Sequence, residues 1–363
     1  MKTTQLRVQE LRVRAIEIDV DRPVRTAAGT LATTPLVLID LRTREGITGR
    51  SYLRCYSSRA LKPLADLVAS LTDLITGEPA DPTHLASLLR REFALLGLHG
   101  LTGLALAGID MCAWDAQAQA SELPLNLLLG GATRGVPAYA SIRSMEPVAA
   151  AVLALEAADA GYRAVKVKLG PSAQDDRFRT VHAVRAAIGD GIGIMVDFNQ
   201  SLTRAQALRI LPGLTDLNVL WIEEPISSDD VPGNAHLAAS TTTPIALGEN
   251  AWGPESIRSM LAANACSQLV LDVTRIGGIS GWLSTAALPE GAGVPIANHT
   301  FPEVSVHLLA SARAETPVWL ESIDHAGPIL QNPFVITNGM AQPTDRVGNG
   351  ISWDETAVRR WHR

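Results

Sequence analysis

The sequence predicts an α/β protein in which a closed (β/α) barrel follows an N-terminal α+β capping domain. From about residue 136, short β-branched runs alternate with Ala- and Leu-rich amphipathic stretches, the pattern of consecutive βα units. Eight such runs occur, and ionisable residues recur near their ends. The 363 residues suffice for a barrel of about 200 to 250 residues and a second domain.

The first part of the chain does not show the βα repeat. Residues 6–20 and 36–53 have the alternation expected of strands, and residues 60–120 have a mainly helical pattern. We therefore expect residues 1–135 to form the α+β domain that caps the barrel.

The barrel itself is expected over residues 136–325. Its eight predicted strands are residues 136–142, 163–169, 193–199, 219–225, 244–250, 268–274, 294–300 and 317–323. Residues 326–363 are rich in Pro, Gly and Asn and have few apolar periods. Because such a segment cannot form a core alone, we expect it to return to the capping domain and complete it.

Composition excludes several functional classes. The chain is 47% hydrophobic and 19% charged, as in globular proteins, and its net charge of -6 comes with scattered Lys and Arg, which disfavours nucleic acid as a partner. No apolar run is long enough for a signal peptide or a membrane span. Three cysteines lie far apart without CxxC spacing, so we expect reduced, buried thiols in a cytoplasmic protein.

The polar residues near the strand ends indicate where chemistry takes place, because barrel active sites lie at the C-terminal ends of the strands. From the second strand to the eighth, these residues are Lys166 and Lys168, Asp197 and Asn199, Glu223, Glu249, Asp272, His299 and Glu321. Each alone could be a helix cap or a satisfied polar group. Their recurrence on seven consecutive strands predicts a common site.

Three of the acids are predicted metal ligands. Asp197, Glu223 and Glu249 follow one another on adjacent strands, and no Cys or His accompanies them. Three carboxylate oxygens suit a hard cation such as Mg²⁺ that keeps open positions for water and substrate, and they disfavour zinc. A cation also explains how three buried acids tolerate each other.

Two candidate bases stand on other strands, Lys168 and His299. The charge of Lys166, together with the metal, is expected to lower the pKa of Lys168 toward neutrality. Asp272 is placed to accept the second imidazole N–H of His299 and so fix its tautomer. Glu321 would be protonated and donate to a substrate carboxylate. The metal, Lys166 and Glu321 together could stabilise the enediolate that forms when a proton beside a carboxylate is removed.

With these residues the sequence resembles the enolase superfamily, in its mandelate racemase group, and the resemblance covers nearly the whole chain. The motifs that carry it are Val165-Lys-Val-Lys168, Val196-Asp-Phe-Asn-Gln200, Trp221-Ile-Glu-Glu-Pro225, Gly248-Glu-Asn250, Asp272 with Ile276-Gly-Gly278, His299-Thr-Phe301 and Trp319-Leu-Glu321. The superfamily's pairing of a Lys or His base with Mg²⁺ is itself a standard example of pKa tuning.

The resemblance implies an enolase-type modified TIM-like barrel, Mg²⁺ with Mn²⁺ as a substitute, and a homo-oligomer between a dimer and an octamer. It implies that Lys168 is the base on one face of a small carboxylate substrate and that His299, with Asp272, is the base on the other. By the same resemblance, the substrate contacts are Lys166, Asn199, Ser141, Glu321, Arg143, Arg54, Tyr56 and Thr300.

The pocket departs from the family pattern. Ala28 replaces a valine in the flap, Arg54 an aromatic residue, Thr300 a leucine, and Ile142-Arg143 a His-Ser pair, while Arg275 replaces a lysine near the metal site. A substrate with a phenyl ring binds best in an apolar pocket, whereas arginines in the pocket suggest a distal carboxylate or polar tail on the substrate. The alternative is that Arg54 and Arg143 turn outward to solvent.

Three functions remain open from the sequence. The first is a racemase or epimerase of a 2-hydroxy acid, in which one base takes the proton and the other returns it to the opposite face. The second is an acid-sugar dehydratase, in which His299 expels a 3-hydroxyl as general acid. The third, a non-catalytic carboxylate-binding barrel, is disfavoured because every base and metal ligand is present.

Overall fold

The N-terminal domain is an antiparallel sheet covered by helices. In the computed structural model, which describes residues 5–26, 29–170, 174–313 and 315–363, three strands pair in the order β1-β2-β3. They are β1 (Val8–Thr26), β2 (Gly29–Thr43) and β3 (Thr48–Arg54). The helices are α1 (Ser58–Ser70), α2 (Thr72–Ile75), α3 (Pro82–Glu92), α4 (Leu101–Ala120) and α5 (Leu125–Leu128). Strands β1 and β2 extend beyond the predicted ranges as one long hairpin, and Ala28 of the flap lies outside the described residues.

Eight parallel strands close the barrel, because the first of them pairs with the last through Leu320 and Ala138. They are β4 (Val136–Ile142), β5 (Ala164–Lys168), β6 (Gly193–Asp197), β7 (Ile222–Glu223), β8 (Ile245–Leu247), β9 (Gln268–Leu271), β10 (Ile296–Asn298) and β11 (Val318–Ser322). Each lies within its predicted range. The barrel and the capping sheet confirm the predicted fold class.

The barrel helices follow the strands in alternation. They are α6 (Pro147–Asp159), α7 (Gln174–Ile188), α8 (Arg204–Asp216), α9 (Val231–Ala239), α10 (Gly253–Ala262), α11 (Gly278–Ala292) and α12 (Pro302–Ser311). Several begin with the expected signals. Thr203 and Gln206 form a reciprocal capping box before α8, and Asp230 caps α9, whose second residue is Pro232.

A layer of apolar side chains plugs the barrel. It consists of Tyr139, Ala164, Met195, Trp221, Ala246, Val270, Ala297 and the partly buried Trp319. On every strand but one, the residue two positions after the plug residue is a predicted site residue. Because side chains two apart on a strand share a face, the functional groups form a polar layer directly above this plug.

The exception is the fifth strand, where Gly248 occupies the position above Ala246. Gly248 has a φ of +130°, and a Cβ there would lie 2.7 Å from the carbonyl oxygen of Val270. This conformation favours glycine, and it lets the next residue, Glu249, enter the polar layer.

Helix α4 joins the two domains. It is buried on several sides because it packs against β3 on one side and α11 on the other. Its residue Asp110 accepts hydrogen bonds from the backbone N–H of Ser280, at 2.9 Å, and from the hydroxyl of Ser280. Gly278, with a φ of +78°, lies so close that a Cβ would be 2.3 Å from Asp110 Oδ2. Asp110 thus holds the start of α11, which follows the loop that begins at Asp272.

The C-terminal segment contacts the first domain. Its elements are β12 (Ile336–Thr337), β13 (Met340–Ala341) and α13 (Glu355–Trp361), of which β13 pairs with β4. The indole N–H of Trp353 donates to Asp40 at 2.7 Å, and the same carboxylate pairs with Arg14. These buried polar contacts attach the segment to the capping sheet.

The cysteines Cys55, Cys112 and Cys266 are free and buried. Among the described residues, none of the helices combines the length and apolar character that crossing a membrane requires.

Candidate active site

A cavity of about 300 Å³ lies at the mouth of the barrel beneath the capping domain. The predicted site residues that line it are Arg54, Tyr56, Ser141, Arg143, Lys166, Lys168, Asn199, Glu249, His299 and Glu321. Asp197, Glu223 and Asp272 are buried just beneath it. Thr300 is also fully buried and does not line the cavity, so its predicted contact with substrate is not supported.

The three predicted metal ligands come together. One carboxylate oxygen each from Asp197, Glu223 and Glu249 lies within 4.8 Å of the others, and all three residues are buried. Burial raises the pKa of Glu223 well above its ordinary value; Lys166 lowers it, and Asp197 and Glu249 raise it further. The negative charges of these buried acids repel one another, and a divalent cation would remove that repulsion. Their carboxylate oxygens are hard donors, which suit Mg²⁺.

Lys166 is an ammonium enclosed by acids. Its Nζ lies 2.9 Å from Oε1 of Glu223 and 2.6 Å from Oε1 of Glu321, and all three side chains are almost fully buried. Burial lowers the pKa of Lys166, but the attraction of these two acids raises it well above its ordinary value. Lys166 is therefore a fixed positive charge, and the role of Glu321 as a protonated donor stays a prediction.

Lys168 lies beside the metal site. Its Nζ donates to Oδ2 of Asp197 at 3.0 Å and to Oδ1 of Asn199 at 2.9 Å, as expected for paired positions on β5 and β6. Burial is the largest effect on the pKa of Lys168 and lowers it, but Asp197, by charge and hydrogen bond, and Glu249 together raise the pKa above its ordinary value. The predicted fall toward neutrality includes the effect of the bound metal, so it stays a prediction. When Asp197 is engaged by a cation, its attraction for this proton weakens.

His299 and Asp272 form the predicted dyad. Nδ1 of His299 lies 2.8 Å from Oδ2 of Asp272, while Nε2 lies 3.6 Å from Glu249. The other oxygen of Asp272 accepts from the backbone N–H of Thr274 at 2.8 Å and from its hydroxyl at 2.6 Å. Burial raises the pKa of Asp272, but the hydrogen bond and charge of His299 lower it below its ordinary value. An ionised Asp272 therefore orients the ring so that Nε2 points toward the cavity.

Sequence reasoning noted Arg275 near the metal site but missed the polar network at the rim that Arg275 forms with Asn250 and Glu224. Asn250 donates to both carboxylate oxygens of Glu224 at 2.8 Å, and Arg275 donates to the side-chain oxygen of Asn250. The guanidinium of Arg275 lies over the rings of Tyr56, at 5.0 Å, and Trp252, at 5.6 Å. The available signal was that Glu224 and Asn250 each directly follow a metal ligand.

Several residues around the site have left-handed backbone conformations. The φ values of Tyr56, Asn199, Glu224 and Thr300 are 53°, 42°, 39° and 55°. Thr300 is β-branched, so its conformation is a marked outlier. Such strain persists only where the surrounding structure enforces it, and it is concentrated at functional sites.

The far end of the cavity is cationic. Arg54, at the end of β3, lies over the ring of Tyr56 at 4.4 Å, and Arg143 follows β4. Both line the cavity, and burial lowers the pKa of Arg143 below its ordinary value. The two arginines thus face the cavity rather than turning outward. His325, buried after β11, completes this end and was not predicted.

Two family descriptions match the chain. Residues 9–130 match the N-terminal domain of the mandelate racemase / muconate lactonizing enzyme family, and residues 149–357 match the description "Enolase C-terminal domain-like". Among curated proteins, the chain is similar to L-talarate/galactarate dehydratase of Salmonella typhimurium, with 31% identity over 91% of this chain and 83% of that protein.

Two solved structures resemble the whole chain. An enolase from Bradyrhizobium complexed with magnesium and mandelic acid has a TM-score of 0.94 and 36% identity, and covers 100% of both chains. L-Talarate dehydratase from Polaromonas sp. JS666, complexed with Mg and L-glucarate, has a TM-score of 0.90 and 28% identity, over 99% of this chain and 98% of that one. The magnesium in both neighbours agrees with the carboxylate triad, and magnesium is the cofactor that this site fits.

Proposed function

Because the chain belongs to the enolase superfamily, in the mandelate racemase and muconate lactonizing enzyme family, we propose that it removes the proton beside the carboxylate of a 2-hydroxy acid. The observation that carries this proposal is that two basic side chains, Lys168 and His299, line one cavity beside a triad of carboxylates. Such a site can take a proton from carbon and stabilise the enediolate that results.

Asp197, Glu223 and Glu249 would hold Mg²⁺. When bound, the ion supplies Lewis-acid stabilisation of the negative charge that develops on the substrate carboxylate. Lys166 adds a buried positive charge to the same end of the cavity. Asn199, Ser141 and Glu321, which line the cavity, would hold the carboxylate and hydroxyl oxygens.

Lys168 and His299 would act on different faces of the substrate. Lys168 ends the second barrel strand, β5, and His299 directly follows the seventh, β10, so they approach the cavity from different sides. Asp272 holds Nδ1 of His299, which leaves Nε2 to give or take the proton. In a racemase or epimerase, one base removes the proton and the other returns it on the opposite face.

Dehydration of an acid sugar is the second candidate. It uses the same abstraction, after which His299 donates its proton to a departing 3-hydroxyl as water leaves. The cationic far end of the cavity, Arg54 and Arg143, favours a substrate with polar groups beyond the reacting carbon. The 31% identity to L-talarate/galactarate dehydratase favours the same candidate, whereas the neighbour that holds mandelic acid favours racemisation.

A screen of 2-hydroxy acids and acid sugars with Mg²⁺ in D₂O, followed by proton NMR, tests the proposal. Loss of the α-proton signal with inversion identifies a racemase or epimerase, and formation of a 2-keto-3-deoxy acid identifies a dehydratase. The control is a double variant, Lys168→Ala with His299→Asn. Exchange that persists in this variant, or no exchange from any acid with the wild type, contradicts the proposal. The homo-oligomer and the cytoplasmic location stay predictions.

A further inference from the structure

The far end of the cavity carries a concentration of positive charge. Burial lowers the pKa of Arg143, which follows the first barrel strand; Asp324 raises it, and Arg54, on the capping domain, lowers it further. Burial lowers the pKa of His325 well below its ordinary value, and Arg54 and Arg143 lower it further. His325 is therefore a neutral imidazole that lies beside two guanidinium groups.

Among the residues that the structure describes, Asp324 is near enough to raise the pKa of Arg143, but it forms no ion pair with either arginine. Neither Arg54 nor Arg143 forms a salt bridge there, and the buried Nε of Arg54 and Nε2 of His325 have no hydrogen-bond partner. By contrast, Arg14, buried elsewhere in the capping domain, pairs with Asp40 at 2.7 Å and Glu355 at 2.9 Å. The far end of the cavity thus keeps two buried nitrogen atoms, Nε of Arg54 and Nε2 of His325, that no described residue satisfies.

Both arginines are partly buried, and buried donors without partners are unfavourable, a cost that a bound anion removes. The donors lie across the barrel mouth from the metal ligands, since Arg143 and His325 follow the first and eighth strands whereas the triad lies on the third to fifth. One small molecule in a cavity of about 300 Å³ can face both ends.

We propose that the substrate is a hydroxy dicarboxylate, whose second carboxylate is bound by Arg54 and Arg143 with His325 as an additional donor. This inference rests on the proposed function, because the first carboxylate is the one at the metal ligands. The two guanidinium groups present planar sets of N–H donors that match carboxylate oxygens. The stacking of Arg54 on Tyr56 holds one of them in position.

The kinetic test compares aldarates with aldonates, which differ by one distal group, a carboxylate or a hydroxymethyl. Each aldarate is paired with the aldonate of the same configuration. In at least one such pair, the wild type loaded with Mg²⁺ is expected to favour the aldarate by roughly 100-fold in kcat/KM. The aldonate loses about two charge-assisted hydrogen bonds, which accounts for a factor of this size. Arg143→Gln and Arg54→Gln are expected to abolish this preference through a higher KM, and Arg143→Lys to retain part of it. Arg258→Gln, on the exposed face of α10, is the matched control and keeps the preference.

Binding separates this inference from the proposed function. Titration calorimetry of the Mg²⁺-loaded protein with each aldarate measures affinity whether or not turnover occurs. Weaker binding in Arg143→Gln but not in Arg258→Gln supports the distal carboxylate site. Equal affinity in all folded variants, or equal kcat/KM for dicarboxylates and monocarboxylates, overturns it even if α-protons exchange. If aldarates bind through the arginines but no acid exchanges its α-proton, the proposed function fails and this site stands.

Discussion

The hydroxyl of Tyr56 donates a hydrogen bond to Oδ2 of Asp272 at 3.1 Å, and the same oxygen lies 2.8 Å from Nδ1 of His299. Tyr56 belongs to the capping domain, between β3 and α1, so the dyad is completed across the domain boundary. The guanidinium groups of Arg54 and Arg275 both lie over the ring of Tyr56, at 4.4 and 5.0 Å. Tyr56 thus positions the dyad, a role beyond the substrate contact that the sequence implied.

We expect Tyr56→Phe to slow α-proton exchange at His299 by roughly 5- to 10-fold, the effect of one lost hydrogen bond. Exchange at Lys168 should be unchanged, because Lys168 has other partners. The measurement is the exchange rate of each substrate enantiomer or epimer in D₂O. Tyr162→Phe, which removes a hydroxyl that donates to Ser322, is the matched control. Equal slowing of both exchanges would show that Tyr56 acts on the whole cavity rather than on the dyad.

Activity should require Mg²⁺ or Mn²⁺, because Asp197, Glu223 and Glu249 offer three buried carboxylate oxygens within 4.8 Å of one another. Removal of metal by a chelator should abolish turnover, and added Mg²⁺ should restore it. Glu249→Gln should weaken Mg²⁺ binding, measured by calorimetry, by tenfold or more, whereas the exposed Glu255→Gln should not. Full activity in the metal-free enzyme would refute the assignment of the triad.

Mandelate should be a poor substrate compared with a more polar 2-hydroxy acid. Arg54 and Arg143 line the cavity, and a guanidinium buried against a phenyl ring without a partner costs several kcal/mol unless it stacks on the ring face. Arg54→Phe should therefore raise kcat/KM for mandelate. If the wild type prefers mandelate to every acid sugar and dicarboxylic hydroxy acid, the arginines do not select the substrate.

Stability should depend on pH through Asp110, which holds the start of α11. Burial raises the pKa of Asp110 from 3.8 to about 7, despite the hydrogen bonds from Ser280. Because the folded state binds the proton of Asp110 more tightly than the unfolded state does, the group stabilises the fold fully below pH 3.8. This stabilisation is lost as the pH rises from 3.8 to about 7, and the free energy of unfolding falls by roughly 4 kcal/mol at most. We expect Asp110→Asn to reduce this pH dependence, measured by urea unfolding between pH 5 and 7.5. An unchanged slope would show that Asp110 does not titrate in this range.

Much of the site could be predicted because it follows strand periodicity. Asp197 lies two positions after Met195, and Glu223 lies two positions after Trp221, so both stand directly above the plug of the barrel. A regular βα spacing brings such positions together whatever the intervening helices contain. His299 lies in the same register, Lys168 lies two positions beyond Lys166 on the same face, and Glu249 enters the layer through the conformation of Gly248.

Other features could not be predicted because the backbone departs from strand geometry at the barrel mouth. Period two would direct Glu224 away from the cavity, but with a φ of 39° it lies at the rim, paired with Asn250. Thr300, with a φ of 55°, is buried instead of lining the cavity. The contact of Tyr56 with Asp272 joins residues 216 positions apart, and local patterns carry no signal for it.

The sign of the Lys168 pKa shift shows a further limit. Sequence spacing places Lys166 beside Lys168, and this charge together with the metal predicts a lowered pKa. In the structure burial is the largest effect on the pKa of Lys168 and lowers it. Asp197, which lies 3.0 Å from the ammonium, and Glu249 together outweigh burial and the repulsion from Lys166. Which of several nearby charges dominates depends on distances that spacing alone does not provide.

Face-specific α-proton exchange in D₂O tests the central claim, that Lys168 and His299 act on opposite faces of one substrate. With Mg²⁺ and an acid identified by the screen, His299→Asn should block exchange from one enantiomer or epimer while Lys168 still exchanges the other. Lys168→Ala should give the reverse pattern, and Asp272→Asn should resemble His299→Asn because it acts through that ring. Equal loss of exchange from both enantiomers in either folded, metal-loaded single variant would contradict the account.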